Sequence, residues 1–206
     1  ILVSMRRFLF SIFILLISNS YGIELGPYLQ VQGGSAKILG DDDNINYEDG
    51  SSFNIGGGFA FTWVALELTY MSAKTDASFK ETTSLGSLKF ERETKALGLG
   101  ARTNFKYLNL LFGLANYSVK QEFTGSTTQI NQIFNSFIPQ ESSDYSSSGY
   151  FAGLQLKFPI KNFEIYAGAT AHVWDEVQFV QNTTTGEKKE DSTGISEAYI
   201  GLRAGF

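Results

Sequence analysis

The sequence predicts an all-β chain: an eight-stranded antiparallel up-and-down transmembrane β-barrel preceded by a cleavable signal peptide. Three observations carry this. Eight stretches alternate apolar and polar residues with a period of two. Short and long connections alternate between them. After residue 22 no run approaches the 18 or so apolar residues of a membrane helix, so a closed barrel is the remaining way to span a bilayer.

The front of the chain is the leader. Residues 1–4 read as upstream sequence. Met5-Arg6-Arg7 then supplies a basic start, and Phe8 to Ile17 is an apolar run. Ser18 and Ser20, or Ser20 and Gly22, place small residues at a cleavage site. A membrane anchor is the competing reading, but a run this short covers only ~15 Å as a helix against a hydrocarbon core of ~30 Å. The expected division is residues 1–22 as upstream residues and signal peptide, and residues 23–206 as one barrel domain.

Each strand is placed by its alternation. The first, Ile23 to Lys37, sets Leu25, Leu29 and Val31 against Tyr28, Gln30 and Gln32. The second, Ser52 to Phe61, sets Phe53, Ile55, Phe59 and Phe61 against Asn54, Gly56 and Gly58. The third, Val64 to Thr75, sets Val64, Leu66, Leu68 and Tyr70 against Ala65, Glu67 and Thr69. The fourth, Thr94 to Phe105, sets Leu97, Leu99 and Ala101 against Gly98, Gly100 and Arg102. The fifth runs Tyr107 to Phe123, the sixth Tyr145 to Phe158 and the seventh Phe163 to Val180. In the last, Ala198, Ile200, Leu202, Ala204 and Phe206 oppose Glu197, Tyr199, Gly201, Arg203 and Gly205. Successive side chains of a strand point to opposite faces, so every strand has one apolar face and one face of glycine, alanine and polar residues.

Short links fall at Thr62-Trp63, Lys106-Tyr107 and Pro159 to Asn162; long polar links fall at Leu39 to Ser51, Asp76 to Glu93, Thr124 to Asp144 and Gln181 to Asp191. Short periplasmic turns and long outer loops are the pattern of outer-membrane barrels. Phe61, Trp63, Phe105, Tyr107, Phe158, Phe163 and Phe206 cluster beside the short turns as an interfacial girdle would. A secreted lipocalin-like barrel is the soluble alternative; it requires large apolar residues inside, where this chain offers Gly, Ala and charges.

Composition narrows the function classes. The chain has no cysteine, so neither a disulfide nor a thiolate metal site is available. Its net charge is −5 with no basic stripe, which argues against nucleic acid.

The Gly56-Gly57-Gly58-Phe59 to Tyr70 segment, the glycine-rich fourth strand and the ending Ala198 to Phe206 together resemble the small eight-stranded outer-membrane barrels of the OmpX and OmpA transmembrane-domain family. The resemblance covers the whole mature chain. It implies residence in the outer membrane of a Gram-negative-type bacterium, with loops extracellular and both termini periplasmic. It also implies lipid and lipopolysaccharide around a monomer, and use of the C-terminal aromatic, Phe206, as the signal read by the barrel-assembly machinery. Nothing follows Phe206, so the peptidoglycan-binding domain of full-length OmpA is expected to be missing.

On this register Glu67, Arg102, Lys157, Glu164, Glu197 and Arg203 face the lumen. An unpaired buried charge costs several kcal/mol, so these six are expected to pair: Glu67 with Arg102, Lys157 with Glu164, and Glu164 or Glu197 with Arg203. Eight strands leave room only for side chains, so a polar plug is expected rather than an open pore. The resemblance allows such a network to act as a gate; filling the interior and fixing register is the alternative.

His172 is the only histidine and shares the inward face with Glu164, Tyr166, Thr170 and Trp174. A catalytic reading needs a Ser in reach of the base, and Trp174 occupies the His-x-Ser position of lipid-modifying outer-membrane enzymes. No catalytic, cofactor or metal residues are assigned, and the chain is expected not to be an enzyme. The loop Gly40 to Gly50 carries five acids but lacks the glycine and closing glutamate of a calcium loop. Ile130, Ile133, Phe134, Phe137 and Ile138 fall at helical spacing before Pro139, giving an amphipathic stripe that predicts a short helix and a candidate loop contact. The function this supports is a membrane anchor displaying four extracellular loops for surface interaction. A small gated channel or an OmpW-like transporter of small or apolar molecules is the alternative, with a lipid A-modifying enzyme behind both.

Overall fold

The computed structural model describes residues 25–39, 45–83, 86–124, 137–139, 145–175, 177–182, 188–191 and 194–206. Among these, eight strands close into one barrel. In chain order they are β1 (Gly26–Leu39), β2 (Gly50–Ala60), β3 (Val64–Thr83), β4 (Gly86–Thr103), β5 (Leu108–Thr124), β6 (Tyr145–Ile160), β7 (Phe163–Trp174) and β8 (Gly194–Gly205). Each pairs antiparallel with its chain neighbours. β1 pairs antiparallel with β8, from Tyr28 opposite Gly205 to Leu39 opposite Gly194. No barrel strand is left as an edge. The seam is pinned at the terminus, where the Phe206 amide donates to the Pro27 carbonyl (3.0 Å) and the Gly205 amide to the Asn162 carbonyl (2.9 Å). The proposed leader lies outside the described residues.

The two faces are inverted relative to a soluble barrel. Leu29, Ile55, Leu66, Leu68, Leu97, Leu99, Phe112, Leu114, Leu154, Leu156, Ile200 and Leu202 all point outward, Leu114 being 71% exposed. Arg102, Lys157 and Arg203 point inward and are 0% exposed. Going up from the turns, the outer face is apolar until Ser35, Ser51, Ser72, Lys95, Asn116, Ser148 and Ser196, where it turns polar on seven strands at one level. On β3 the outward apolar residues are Val64, Leu66, Leu68 and Tyr70, with Ser72 the first polar one above them. Phe61, Trp63, Tyr107, Phe158, Phe163 and Phe206 lie exposed at the turn end. Residues 161–162 form the tightest turn, with Lys161 in the left-handed region at φ 53°, a conformation glycine adopts more readily.

Glycines inside the barrel make room for rings. A Cβ on Gly113 would lie 2.4 Å from the Phe151 ring and one on Gly100 2.7 Å from it; Gly113 and Gly100 face each other across β4 and β5. Gly201 serves Tyr166 in the same way, at 2.4 Å. Large and small residues thus alternate around a cross-section packed with side chains.

The structure departs from the sequence expectation above the polar boundary. The segment Asp76 to Glu93, expected as a loop, is largely strand: β3 continues to Thr83 and β4 begins at Gly86, with a bulge between Ser78 and Thr82. Outside the apolar belt both faces meet water or polar groups, so apolar alternation fades while pairing continues. Thr75, Ala77, Phe90, Arg92, Thr94 and Gln121 form the inner face there. The outer face carries the pairs Lys74–Glu91 (3.3 Å) and Lys95–Glu93 (3.1 Å). Lys120 and Glu122 form a third, and the ammonium holds the Glu122 carboxyl below the usual carboxylate range.

The seventh strand, expected to reach Val180, ends at Trp174, because Val173 and Trp174 are the last residues with barrel partners, Gly194 and Gly149. Val177–Asn182 instead forms a small sheet with Lys188–Asp191 and Phe137–Pro139. The expected helix is overturned over Phe137 and Ile138, which are extended and pair with Asn182 and Gln181. β-branched and aromatic residues suit a strand as well as a helix stripe, and available partners decide. Ile130, Ile133 and Phe134 lie outside the described residues, as do 40–44 of the acidic loop.

Replacing Gly113 with Val overfills the Phe151 layer. The expected cost is about 1–3 kcal/mol, read as a lower urea midpoint for unfolding in detergent micelles. Adding Phe151→Ala to that variant should recover part of the loss.

Candidate functional site: the barrel lumen

The inward faces build a lumen with three levels. The lowest, beside the short turns, holds the charges. Arg102 Nε donates to Glu67 Oε2 at 3.3 Å, and the Tyr28 hydroxyl donates to the same oxygen at 2.8 Å. Lys157 Nζ donates to Glu164 Oε1 (2.8 Å) and to Asn104 Oδ1 (3.0 Å). Arg203 Nη1 donates to Glu164 Oε2 at 2.6 Å. Arg203 also reaches Gln30 Oε1 through Nε (3.1 Å) and Nη2 (2.7 Å), and Gln155 Oε1 through Nη2 (3.1 Å). Its guanidinium lies 4.6 Å from the Tyr166 ring centre and 5.4 Å from that of Tyr28, so cation–π contact holds it from both sides. Glu164 therefore takes a base on each oxygen, which suits a buried carboxylate.

The middle level is held mainly by hydrogen bonds between uncharged side chains. Tyr166 donates to Gln32 Oε1 at 3.2 Å, Gln155 Nε2 donates to the Tyr199 hydroxyl at 3.2 Å, and Tyr199 shares a 3.0 Å bond with Thr170. A cavity of about 20 Å³ opens here, bordered by Asn54, Glu67, Thr69, Thr170, His172 and Glu197 among others.

The upper level is different in kind. Ala36, Met71, Ala73, Ala96, Ala115, Tyr117, Val119, Phe151, Trp174 and Ile195 form one buried apolar cluster across the barrel. The expectation of a wholly polar plug is corrected here: the loop-end half of the lumen is an apolar core. The sequence concealed it because small inward residues such as Ala36, Ala96 and Ala115 carry no signal of their own. They leave space into which Trp174, Met71 and Phe151 project.

Two inward charges differ from the rest. Glu197 does not meet Arg203; its Oε2 lies 3.0 Å from His172 Nε2. His172 Nδ1 lies 3.0 Å from the Tyr117 hydroxyl. The histidine is thereby held at both nitrogens between the middle and upper levels. No serine stands among these partners, and the described residues contain no group of three or more His, Cys, Asp or Glu placed to hold a metal. Tyr28, Gln30, Asn104, Gln155 and Tyr117 belong to these networks although no motif marks them. Their inward phase in the alternation is the signal that finds them.

No family model and no curated protein matches this sequence. Solved structures do match in shape. Ail, the attachment invasion locus protein of Yersinia pestis, superposes with a TM-score of 0.52 at 17% identity, covering 88% of this chain and 99% of that one. The same protein in complex with the heparin analogue sucrose octasulfate gives 0.50 at 18% identity, with the same coverage. Neisserial surface protein A gives 0.47 at 15% identity, covering 88% and 97%. At this identity the Ail likeness shows the fold, an eight-stranded barrel of that kind.

Removing one member of the Glu67–Arg102 pair strands the other in a closed interior, at an expected cost of about 3–5 kcal/mol. Glu67→Gln and Arg102→Gln should each lower the unfolding midpoint, and the double variant should lose clearly less than the sum. Strict additivity in that cycle would mean the two side chains do not act as a pair.

Proposed function

We propose that this chain is an outer-membrane β-barrel that works as a sealed scaffold, holding polar strand extensions and loops outside the membrane for surface interaction. The observation that carries this reading is the inversion of faces: an outward apolar belt beside an aromatic girdle, around buried ion pairs. In water such a belt would be an aggregation surface. In lipid it is the stabilising face, since closed pairing leaves no backbone group unsatisfied. The turn end and both termini then lie on the periplasmic side. Outer-membrane lipid and lipopolysaccharide surround a monomer, and the assembly machinery engages the last strand through Phe206.

The apolar upper level favours a display role over transport. An ion reaching the paired charges from the loop end would have to pass Trp174, Met71 and Phe151, which leave no wide path. Ail was solved with a polyanion analogue. Here the outer lysines of the extension, Lys74, Lys95 and Lys120, stand in ion pairs with glutamates. That balance suits a partner of mixed polarity better than a sulfated polymer. A small gated channel is the second reading, which the charged lower level alone would favour.

Topology is testable because the chain has no cysteine. Cysteine placed at Ser78 should react with an impermeant maleimide on intact cells, whereas cysteine at Asn162 should react only after the outer membrane is opened. The reverse pattern would invert the orientation. In a planar bilayer the refolded barrel should be silent, and reproducible conductance steps would move transport to first place.

A further inference from the structure

The outer wall of the barrel carries two adjoining depressions that the scaffold role does not use. One, of about 390 Å³, spans β3 to β6, with Leu68, Leu97, Leu99 and Leu114 among its walls. Gly98 and Ala115 belong to the inward face, so their backbone forms its floor. The second, of about 230 Å³, lies on the loop side of the first, beside Lys95, Ser118 and Ser146. Leu97 and Asn116 border both. The pair therefore straddles the level at which the outer face turns polar, at Lys95, Asn116 and Ser148. Leucines below that level and an ammonium with hydroxyls above it match a lipid in both its parts, chain below and head above.

Register builds this shape. Asn116 stands opposite Leu97 on one side and Ser148 on the other, and Leu114 stands between Leu99 and Tyr150 one row lower. Ser148 Oγ donates to Asn116 Oδ1 at 3.0 Å, which ties the amide to β6 and leaves its nitrogen as a donor. A short polar side chain thus interrupts the wall beside Leu97.

Charge decides which head fits. Lys95 Nζ lies 3.1 Å from Glu93 Oε1 on the same strand face. The neighbouring pairs Lys74–Glu91 and Lys120–Glu122 are balanced in the same way. A head with several phosphates and no base would meet as many carboxylates as ammoniums here. A head with one phosphate and one ammonium finds a partner for each: the phosphate at Lys95 beside the Ser118 and Ser146 hydroxyls, the ammonium at Glu93.

We propose that this groove holds one zwitterionic phospholipid, its head at Lys95 and Glu93 and an acyl chain along Leu97, Leu99 and Leu114. The inference rests on the outward belt lying in lipid, and adds a defined lipid site to a wall that otherwise asks only for hydrocarbon.

The test is native mass spectrometry of the refolded barrel released from detergent micelles, with phosphatidylethanolamine, phosphatidylglycerol or lipid A added at equal concentration. The first carries both charges of the head, the second the phosphate alone, and the third two phosphates. One phosphatidylethanolamine should be retained in preference to either of the others. Lys95→Gln should weaken that retention about tenfold, the loss of one charge-assisted contact. Asn116→Trp fills both depressions and should abolish it. Ala169→Trp, an outward position on β7 away from the groove, should leave it unchanged. All three positions face outward, and circular dichroism checks that each barrel forms; if Asn116→Trp does not fold, Lys95→Gln against Ala169→Trp carries the comparison. Equal retention by Asn116→Trp and Ala169→Trp would mean bulk lipid around the belt only and would overturn the site. Preference for phosphatidylglycerol or lipid A, or no retained lipid, would overturn it equally. Inverted maleimide labelling at Ser78 and Asn162 would sink the orientation while leaving these spectra unchanged, so the two failures are distinguishable.

Discussion

Closure is the constraint from which the rest of this molecule follows. β1 meets β8 over a continuous register from Tyr28–Gly205 to Leu39–Gly194, so each barrel strand is paired on both sides. With backbone polarity met internally, the outer face is free to be apolar. The inner face must then fill a narrow cylinder with whatever the alternate positions supply. Eight strands make that cylinder too small for a stream of solvent. Every inward side chain is consequently answerable to another inward side chain, and charges end in pairs because no bulk water is there to solvate them.

The inner face answers this in two ways at two heights. Near the turns, long charged and amide side chains interlock: Arg203 reaches Glu164, Gln30 and Gln155 while packed between two tyrosines. Near the loops, a few large residues fill the space left by alanines and glycine. A buried ion pair is a modest source of net stability but a strong source of register, since a one-residue slip would turn Arg102 or Arg203 into the lipid. The apolar layer works in the opposite sense, giving adhesion with little directional demand. The ion level fixes which residues face inward, and the apolar level seals what the ion level leaves open.

The legible part of the sequence was the part where the two faces differ in chemistry. Leu66, Leu68, Leu97 and Leu99 against Glu67, Gly98, Gly100 and Arg102 announce both strand and facing, and six inward charges could be placed from alternation, whereas Arg92, also buried, fell in an expected loop. Legibility ended where that contrast ended. Beyond Ser72 and Lys95 both faces of β3 and β4 carry polar residues, so a hairpin of paired strands looks like a loop. The stripe through Phe137 and Ile138 failed for a related reason. Residues at i, i+3 and i+4 favour a helix only when nothing offers a strand edge, and Val180–Asn182 offers one. The partner of Glu197 was also hidden, because His172 becomes its diagonal neighbour only through the register of β7 against β8, which sets Glu197 opposite Thr170.

That choice shapes the middle of the lumen. Had Glu197 met Arg203, it would have joined the network of acids and bases near the turns. Instead Arg203 joins Lys157 on Glu164, which concentrates positive charge at the bottom. Glu197, six residues before Arg203 on β8, meets an imidazole on β7, a residue whose charge is optional. Buried bases then stand toward both ends of the lumen, Arg102, Lys157 and Arg203 near the turns and Arg92 toward the loops, with Glu197 and a small polar cavity between them. Glu197 Oε1 and Asn54 Oδ1, on residues that border the cavity, have no hydrogen-bond partner among the described residues, so the middle level, unlike the ion pairs below it, is not closed by its own side chains.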